Sequence, residues 1–234
     1  MRIDLCIPAF NEETIIAEVT RELSSVLSNI PETNFVITVA NNGSTDRTAL
    51  RAREVPGVSV LEVPIKGKGA AVIAAARAST ADVFGFIDAD LSAEPRDISK
   101  LLAPLRSGEY DIAIGSRLAD TSVVKRESLR TFGSQMFNLL RKIVLGISVQ
   151  DTQCGLKFMN VRGRDVLTRC KETGWFFDME FLARAEQADL RIIELPVRWD
   201  EHHFADRKSK LNLVRDGFAT LGALLRIRRN IKIR

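Results

Sequence analysis

The segment Val83-Phe84-Gly85-Phe86-Ile87-Asp88-Ala89-Asp90 constrains this chain more than any other. An unbroken apolar, β-favouring run reads as a strand covered on both faces, and it stops at two carboxylates one small residue apart. In an open parallel α/β sheet, ligands bind beyond the carboxyl ends of the strands, so this pair is placed to hold a divalent cation against an anion. A tight turn is expected there, with one carboxylate on the metal, the other on a hydroxyl or water, and Ala89 leaving room for a ligand to lie flat. Asp pairs also form turns and cap helices, and Glu94-Pro95 opens a helix just downstream.

The remaining pattern supports such a sheet. Strands are predicted at 3–7, 35–40, 58–62, 111–115 and 192–197, and helices at 14–27, to about 53, to about 78, 96–107 and 178–188. Asn11 or Thr14 is expected to cap the first helix. Strand and helix alternating at short spacing implies right-handed crossovers and a mostly parallel sheet flanked by helices, an α/β class with Rossmann-like winding. At 234 residues, 45% hydrophobic and 27% charged, one large domain fits the length without staples. It is expected to span 1–210, followed at 211–234 by an amphipathic basic helix and tail.

The three cysteines, Cys6, Cys154 and Cys170, are widely spaced and make no metal-ligand pattern, which favours a reducing compartment. No export signal and no membrane-spanning run is read, so a cytoplasmic location is expected. His202 and His203 are adjacent rather than at metal-ligand spacing. A net charge of +4 suits anionic partners without choosing among them. Arg226, Arg228, Arg229, Lys232 and Arg234 crowd the last nine residues, favouring contact with the cytoplasmic face of an anionic membrane over nucleic acid.

Other strand ends carry their own signals. Pro8-Ala9-Phe10-Asn11-Glu12 follows the first strand and Asn41 to Asp46 the second; both suit contact with a nucleoside and both also suit plain turns. Lys66-Gly67-Lys68-Gly69 opens a helix, where backbone amides and ammonium charge can meet a nucleotide, although the spacing of an ATPase phosphate loop is absent. Gly115-Ser116-Arg117, Asp151-Thr152-Gln153-Cys154-Gly155 and Trp175-Phe176-Phe177-Asp178-Met179-Glu180 complete the set. Trp175 and Trp199 suit either a lipid or sugar groove or the core, and Cys154 reads as a small packing residue.

Taken in order, these motifs resemble the inverting glycosyltransferases of family 2, with the GT-A nucleotide-diphospho-sugar transferase fold, and within them the polyprenyl- and dolichyl-phosphate sugar synthases. The 151–155 and 175–180 stretches look most like the dolichyl-phosphate glucosyltransferase branch, with the mannosyltransferases as rival. The resemblance implies that Pro8, Phe10, Glu12 and Asn41 surround base and ribose, that Lys68, Asp88 and Ala89 hold the nucleotide sugar, and that Asp90 binds Mg2+ or Mn2+. It also implies Arg117 and Arg130 at an acceptor phosphate, and Arg207 and Lys210 over the diphosphate. A UDP- or GDP-hexose donor and a polyprenyl phosphate acceptor follow.

Three residues depart from the family pattern: Asn41 where Asp is common, Phe10 where Tyr is common, and Ser92 where some relatives offer Gln to the metal. A phosphate acceptor is already an anion, so proton removal is not essential. A hydroxyl acceptor requires a base, for which Asp178 and Asp151 are the candidates. Two other readings remain open, a family 2 enzyme acting on a soluble or polysaccharide hydroxyl and a catalytically silent nucleotide-sugar-binding module. A sugar nucleotidylyltransferase is disfavoured, because its glycine-rich, arginine-containing loop is missing after the first strand.

Overall fold

The computed structural model describes residues 1–119, 123–125, 144–200 and 213–231, with side chains left undescribed at 123–125 and 213–221. The first half runs β1 (Arg2–Ala9), α1 (Ile16–Leu27), β2 (Asn34–Asn41), α2 (Thr48–Arg53), β3 (Val58–Glu62), α3 (Lys68–Ala78), β4 (Val83–Ile87), α4 (Ile98–Arg106) and β5 (Ile112–Ser116). After it come β6 (Val123–Lys125), β7 (Leu156–Asn160), α5 (Val161–Leu167), α6 (Phe177–Gln187), β8 (Ile192–Pro196), β9 (Arg198–Asp200) and α7 (Leu213–Ile231). Among the described residues one seven-stranded sheet has the order β3-β2-β1-β4-β7-β5-β8, and β6 pairs with β9 apart from it.

The sheet is parallel except at β7, which lies antiparallel between β4 and β5. Local pattern could not reveal this insertion, because Leu156 to Asn160 looks the same in either direction. Its central position matters for the site: it delivers Gly155 and Lys157 beside the end of β4.

Strand alternation divides the core between the two faces. Ile3, Leu5 and Ile7 of β1 pack with Val19 and Leu23 of α1 and Leu101 and Leu102 of α4. On the opposite face Phe84 and Phe86 of β4 pack with Ala71 and Ala75 of α3 and Phe177 and Phe181 of α6. Each fully buried Ile, Leu, Val or Phe among these contributes about 1.5–3 kcal/mol. Leu224, Ile227 and Ile231 of α7 belong to this second cluster and Ala223 is buried beside them in the chain, while Leu225, Arg226, Arg228 and Arg229 face outward. The expected caps on α1 are not used: Ile15 is the N-cap without a side-chain bond, and Asn11, at φ 55°, spends its side chain elsewhere.

Candidate active site

At the end of β4 the chain turns as expected, with the Leu91 N–H donating to the Asp88 carbonyl at 3.1 Å and Leu91 in the left-handed region at φ 46°. The Asp90 carboxylate accepts the Ser92 N–H at 3.1 Å, so it stabilises its own turn. The helix beginning at Pro95 is capped by Glu94, whose side chain accepts the Arg96 N–H, and not by the Asp pair. Ala89 is buried with Leu91 and Ala93, so the expected flat surface at this residue is not found.

Asp88 is seated by its neighbours. Its N–H donates to the Gly155 carbonyl, and a Cβ at Gly155 would lie 2.1 Å from the Asp88 carboxylate oxygen, so only glycine lets β7 pass this close. The Lys68 ammonium sits 2.6 Å from the other carboxylate oxygen. Burial works to lower the Lys68 pKa, but the charges of Asp88, Asp178 and Asp90 outweigh it and the ammonium is held above its ordinary range. Behind this pair lies a second one that sequence reasoning missed: Lys157, fully buried, places its ammonium 2.7 Å from Asp178 and donates to the Cys154 carbonyl at 2.6 Å. Burial raises the Asp178 pKa against the opposing pull of Lys157 and Lys68. The overlooked signal was a lysine alternating in register with apolar residues inside a fully buried strand.

The other motif residues divide into scaffold and cleft. Asn11 accepts the Thr45 N–H, Ser44 accepts the Asn11 N–H, Asp46 accepts the Glu13 N–H, and Glu13 accepts the Arg47 N–H. The loops after β1 and β2 are thereby laced together, and Ser44 to Asp46 serve that clasp. Asn42 donates to the Ile65 carbonyl and accepts the Gly67 N–H. The Gly69 and Ala70 N–H groups donate to the carbonyls of Gly174 and Thr173. The amides expected to meet a nucleotide at the start of α3 are therefore engaged within the protein, leaving the Lys68 side chain as that motif's polar contribution.

Phe10 is exposed and Pro8 half-buried, while Glu12 and Asn41 are buried. The Asn41 side-chain amide donates to Glu62 at 2.6 Å, and its carbonyl oxygen is buried without a hydrogen-bond partner among the described residues. Lys66 lies 5.5 Å from the centroid of the Phe10 ring.

Arg117 and Asp151, expected in different roles, bind each other. The guanidinium makes 2.8 and 2.7 Å hydrogen bonds to Asp151, whose carboxylate also accepts the Arg117 N–H, and it stacks on Trp199 at 4.8 Å. Burial works against the Asp151 carboxylate, but Arg117 overrides it and the pKa is lowered. A buried carboxylate held this way is a poor general base, which removes Asp151 from that candidacy. The Trp199 indole is buried and the Trp175 indole exposed, so the two tryptophans separate into packing and rim. Cys154 is buried packing, its thiol pushed by burial up to about 12. Arg130, Arg207, Lys210, His202 and His203 lie outside the described residues.

The family model for glycosyl transferase family 2 matches residues 4–166, a stretch that contains β1 to β5, the Asp88–Asp90 turn and β7. The chain belongs to glycosyl transferase family 2. Glycosyltransferase AglD of Haloferax volcanii is 30% identical over 92% of this chain. A dolichyl-phosphate beta-glucosyltransferase of Drosophila melanogaster is 31% identical over 86% of it. This family 2 chain spans 35% of the first relative's length and 68% of the second's. The glucosyl-3-phosphoglycerate synthase of Mycobacterium tuberculosis, in complex with Mn2+, UDP and glucosyl-3-phosphoglycerate, superimposes with a TM-score of 0.71 at 22% identity. That superposition covers 100% of this chain and 81% of the synthase, and it establishes the GT-A fold.

Among the described residues no cluster of three or more His, Cys, Asp or Glu side chains is arranged to hold a metal. The Asp90 carboxylate offers hard oxygen, which fits a Mg2+ or Mn2+ ion completed by diphosphate oxygens and water. No helix among the described residues is long and apolar enough to cross a membrane.

Proposed function

We propose that this chain is an inverting, metal-dependent hexosyltransferase that moves glucose or mannose from a UDP- or GDP-sugar to a polyprenyl phosphate. The observation that carries the acceptor is the state of the two candidate bases. Asp151 is clamped to Arg117, and Asp178 is buried against Lys157. With Asp151 committed to its cation and Asp178, whose pKa burial raises, shut away from solvent in the core, the acceptor best suited to the cleft is one that arrives already ionised. The names of the dolichyl-phosphate beta-glucosyltransferase relatives favour glucose and a lipid phosphate.

On this reading the nucleoside lies over Pro8, Phe10, Glu12 and Asn41. The unpartnered Asn41 oxygen suits an N–H of a pyrimidine or purine base. Asp90 would hold the Mg2+ or Mn2+, which when bound neutralises charge on the departing diphosphate. Lys68 adds a fixed positive charge beside Asp88 and orients that carboxylate toward the sugar. Arg117, through the guanidinium edge that Asp151 does not use, and Arg130 take the acceptor phosphate; Arg207 and Lys210 cover the diphosphate. Attack from the face opposite the leaving group inverts the anomeric centre. Outward-facing Arg228 and Arg229 bring the enzyme to the cytoplasmic face of an anionic membrane, where its acceptor resides.

The deciding experiment offers UDP-glucose and GDP-mannose with Mn2+ to polyprenyl phosphate, to the matching polyprenol and to soluble sugars. Organic-extractable, inverted sugar phosphate formed only with the lipid phosphate is the expected product. Equal transfer to polyprenol or soluble sugars would move the assignment to a hydroxyl acceptor. Nucleotide-sugar binding with neither transfer nor hydrolysis would reduce the chain to a binding module.

A further inference from the structure

Trp175 is 58% exposed, yet its backbone is firmly held. Residues 172–174 lie against the start of α3, with the Ala70 N–H donating to the Thr173 carbonyl at 3.0 Å and the Gly69 N–H to Gly174 at 3.3 Å. A Cβ at Gly67 would come within 2.1 Å of the Thr173 carbonyl oxygen, and one at Gly69 within 2.6 Å of Phe177. Two glycines are therefore required for this shelf to dock. Phe177 anchors its far side, its ring 5.6 Å from that of Phe86 in the core. The indole stands on this docked shelf and leaves most of its surface open to solvent.

What it does border is Lys68, whose ammonium lies 5.3 Å from the indole centroid and 2.6 Å from Asp88. Two residues earlier on the same loop, Lys66 lies under the Phe10 ring. The loop thus carries an aromatic ring at each end, Phe10 beside the strand ends assigned to the nucleoside and Trp175 beside the carboxylate–ammonium pair. A fixed apolar ring next to paired charged groups matches a pyranose, which offers hydroxyls at its edge and C–H bonds on its face.

We propose that Trp175 is the platform for the hexose ring of the donor, with Asp88 and Lys68 taking its hydroxyls, and that it sets the preference for a nucleotide sugar over the bare nucleotide. This rests on the donor reading given above. The test is calorimetric titration, with Mn2+ present, of wild type, Trp175→Ala and Trp175→Phe with UDP, UDP-glucose, GDP and GDP-mannose. Trp175→Ala is expected to weaken the preferred nucleotide sugar by about fivefold to tenfold while leaving its nucleoside diphosphate within about twofold, and Trp175→Phe to recover most of the loss. Equal loss for sugar and bare nucleotide, no loss for either, or an effect confined to the KM for polyprenyl phosphate would each overturn it. A wild-type protein that melts normally but binds none of the four compounds would instead remove the donor reading, and the platform with it.

Discussion

The Arg117 guanidinium and the Asp151 carboxylate are joined by side-chain hydrogen bonds of 2.8 and 2.7 Å, and the carboxylate is itself fixed from behind, because Glu194 accepts the Gln150 and Asp151 N–H groups. This arrangement ties the end of β5 to the approach to β7. Arg117→Ala leaves Asp151 buried without its counter-charge and is expected to cost about 3–5 kcal/mol of folding stability. Arg117→Lys should rescue little, since an ammonium cannot reproduce the two-pronged contact. Urea unfolding measures both; a loss under 1 kcal/mol, on the order of an exposed ion pair, would show that the clamp is dispensable.

Asp90→Ala should behave in the opposite way. The residue accepts the Ser92 N–H within its own turn, and Leu91 and Ala93 beside it are core residues that the substitution leaves in place. Stability should fall by no more than about 1 kcal/mol, while turnover with Mn2+ falls by about 100-fold or more. Transfer assays paired with thermal melts check this, and full wild-type activity in excess chelator would contradict the metal assignment.

These two carboxylates show how much of the molecule was legible beforehand. The positions of Asp88 and Asp90 followed from strand period and strand length alone, as did β1 to β5 and their helices, because each element carries its own pattern. Partners across the sheet were not legible. Nothing near Arg117 in the chain points to Asp151, and nothing near Lys157 points to Asp178, since both pairings depend on β7 entering antiparallel between β4 and β5. The motif Asn41 to Asp46 was visible, yet its division into an amide that bonds Glu62 and a loop clasp depends on Glu62 from β3 and on what Asn11 and Glu13 present from the loop after β1. Apolar spacing in α7 was equally visible, but not which side of it the core would take.

Lys157 and Asp178 should couple strongly. Each is nearly or fully buried, so Lys157→Met or Asp178→Leu alone leaves a charge in the interior and should cost about 3–5 kcal/mol. Lys157→Met combined with Asp178→Leu should recover most of that stability. The double-mutant cycle in urea settles it: additive losses would mean that the two residues act independently. Lys68 stays beside Asp88 in the double variant, so nucleotide binding can be compared directly with wild type.

Arg228 and Arg229 face outward on a helix whose Leu224, Ile227 and Ile231 are packed in the core, so the attraction of this end to an anionic membrane rests on their charge, with Leu225 the apolar residue exposed near them. Replacing both by Gln should lower partitioning onto phosphatidylserine vesicles by about thirtyfold, at about 1 kcal/mol per charge. Raising the salt should erase the difference. Sedimentation with vesicles is the measurement; unchanged partitioning would detach this helix from the membrane.

Asn41 stands opposite Glu62 in the β2–β3 register, and its amide hydrogen bond, with the Arg53 contact, holds the Glu62 carboxyl below its usual range. This explains an amide at a position where a carboxylate is the family habit: Asp there would face Glu62 as a like charge. A depressed carboxyl pKa contributes stability above the ordinary carboxylate range, and that contribution is lost as pH falls through the lowered value. Asn41→Asp should reverse the slope. At pH 7 the variant should be less stable by about 1 kcal/mol, and the deficit should shrink toward pH 4 as one of the two carboxylates takes a proton. Adding Glu62→Gln to Asn41→Asp should restore stability at pH 7. Thermal melts of wild type and the two variants from pH 4 to 8 read this directly, and a deficit independent of pH would mean that something other than the facing carboxylate makes Asn the better residue.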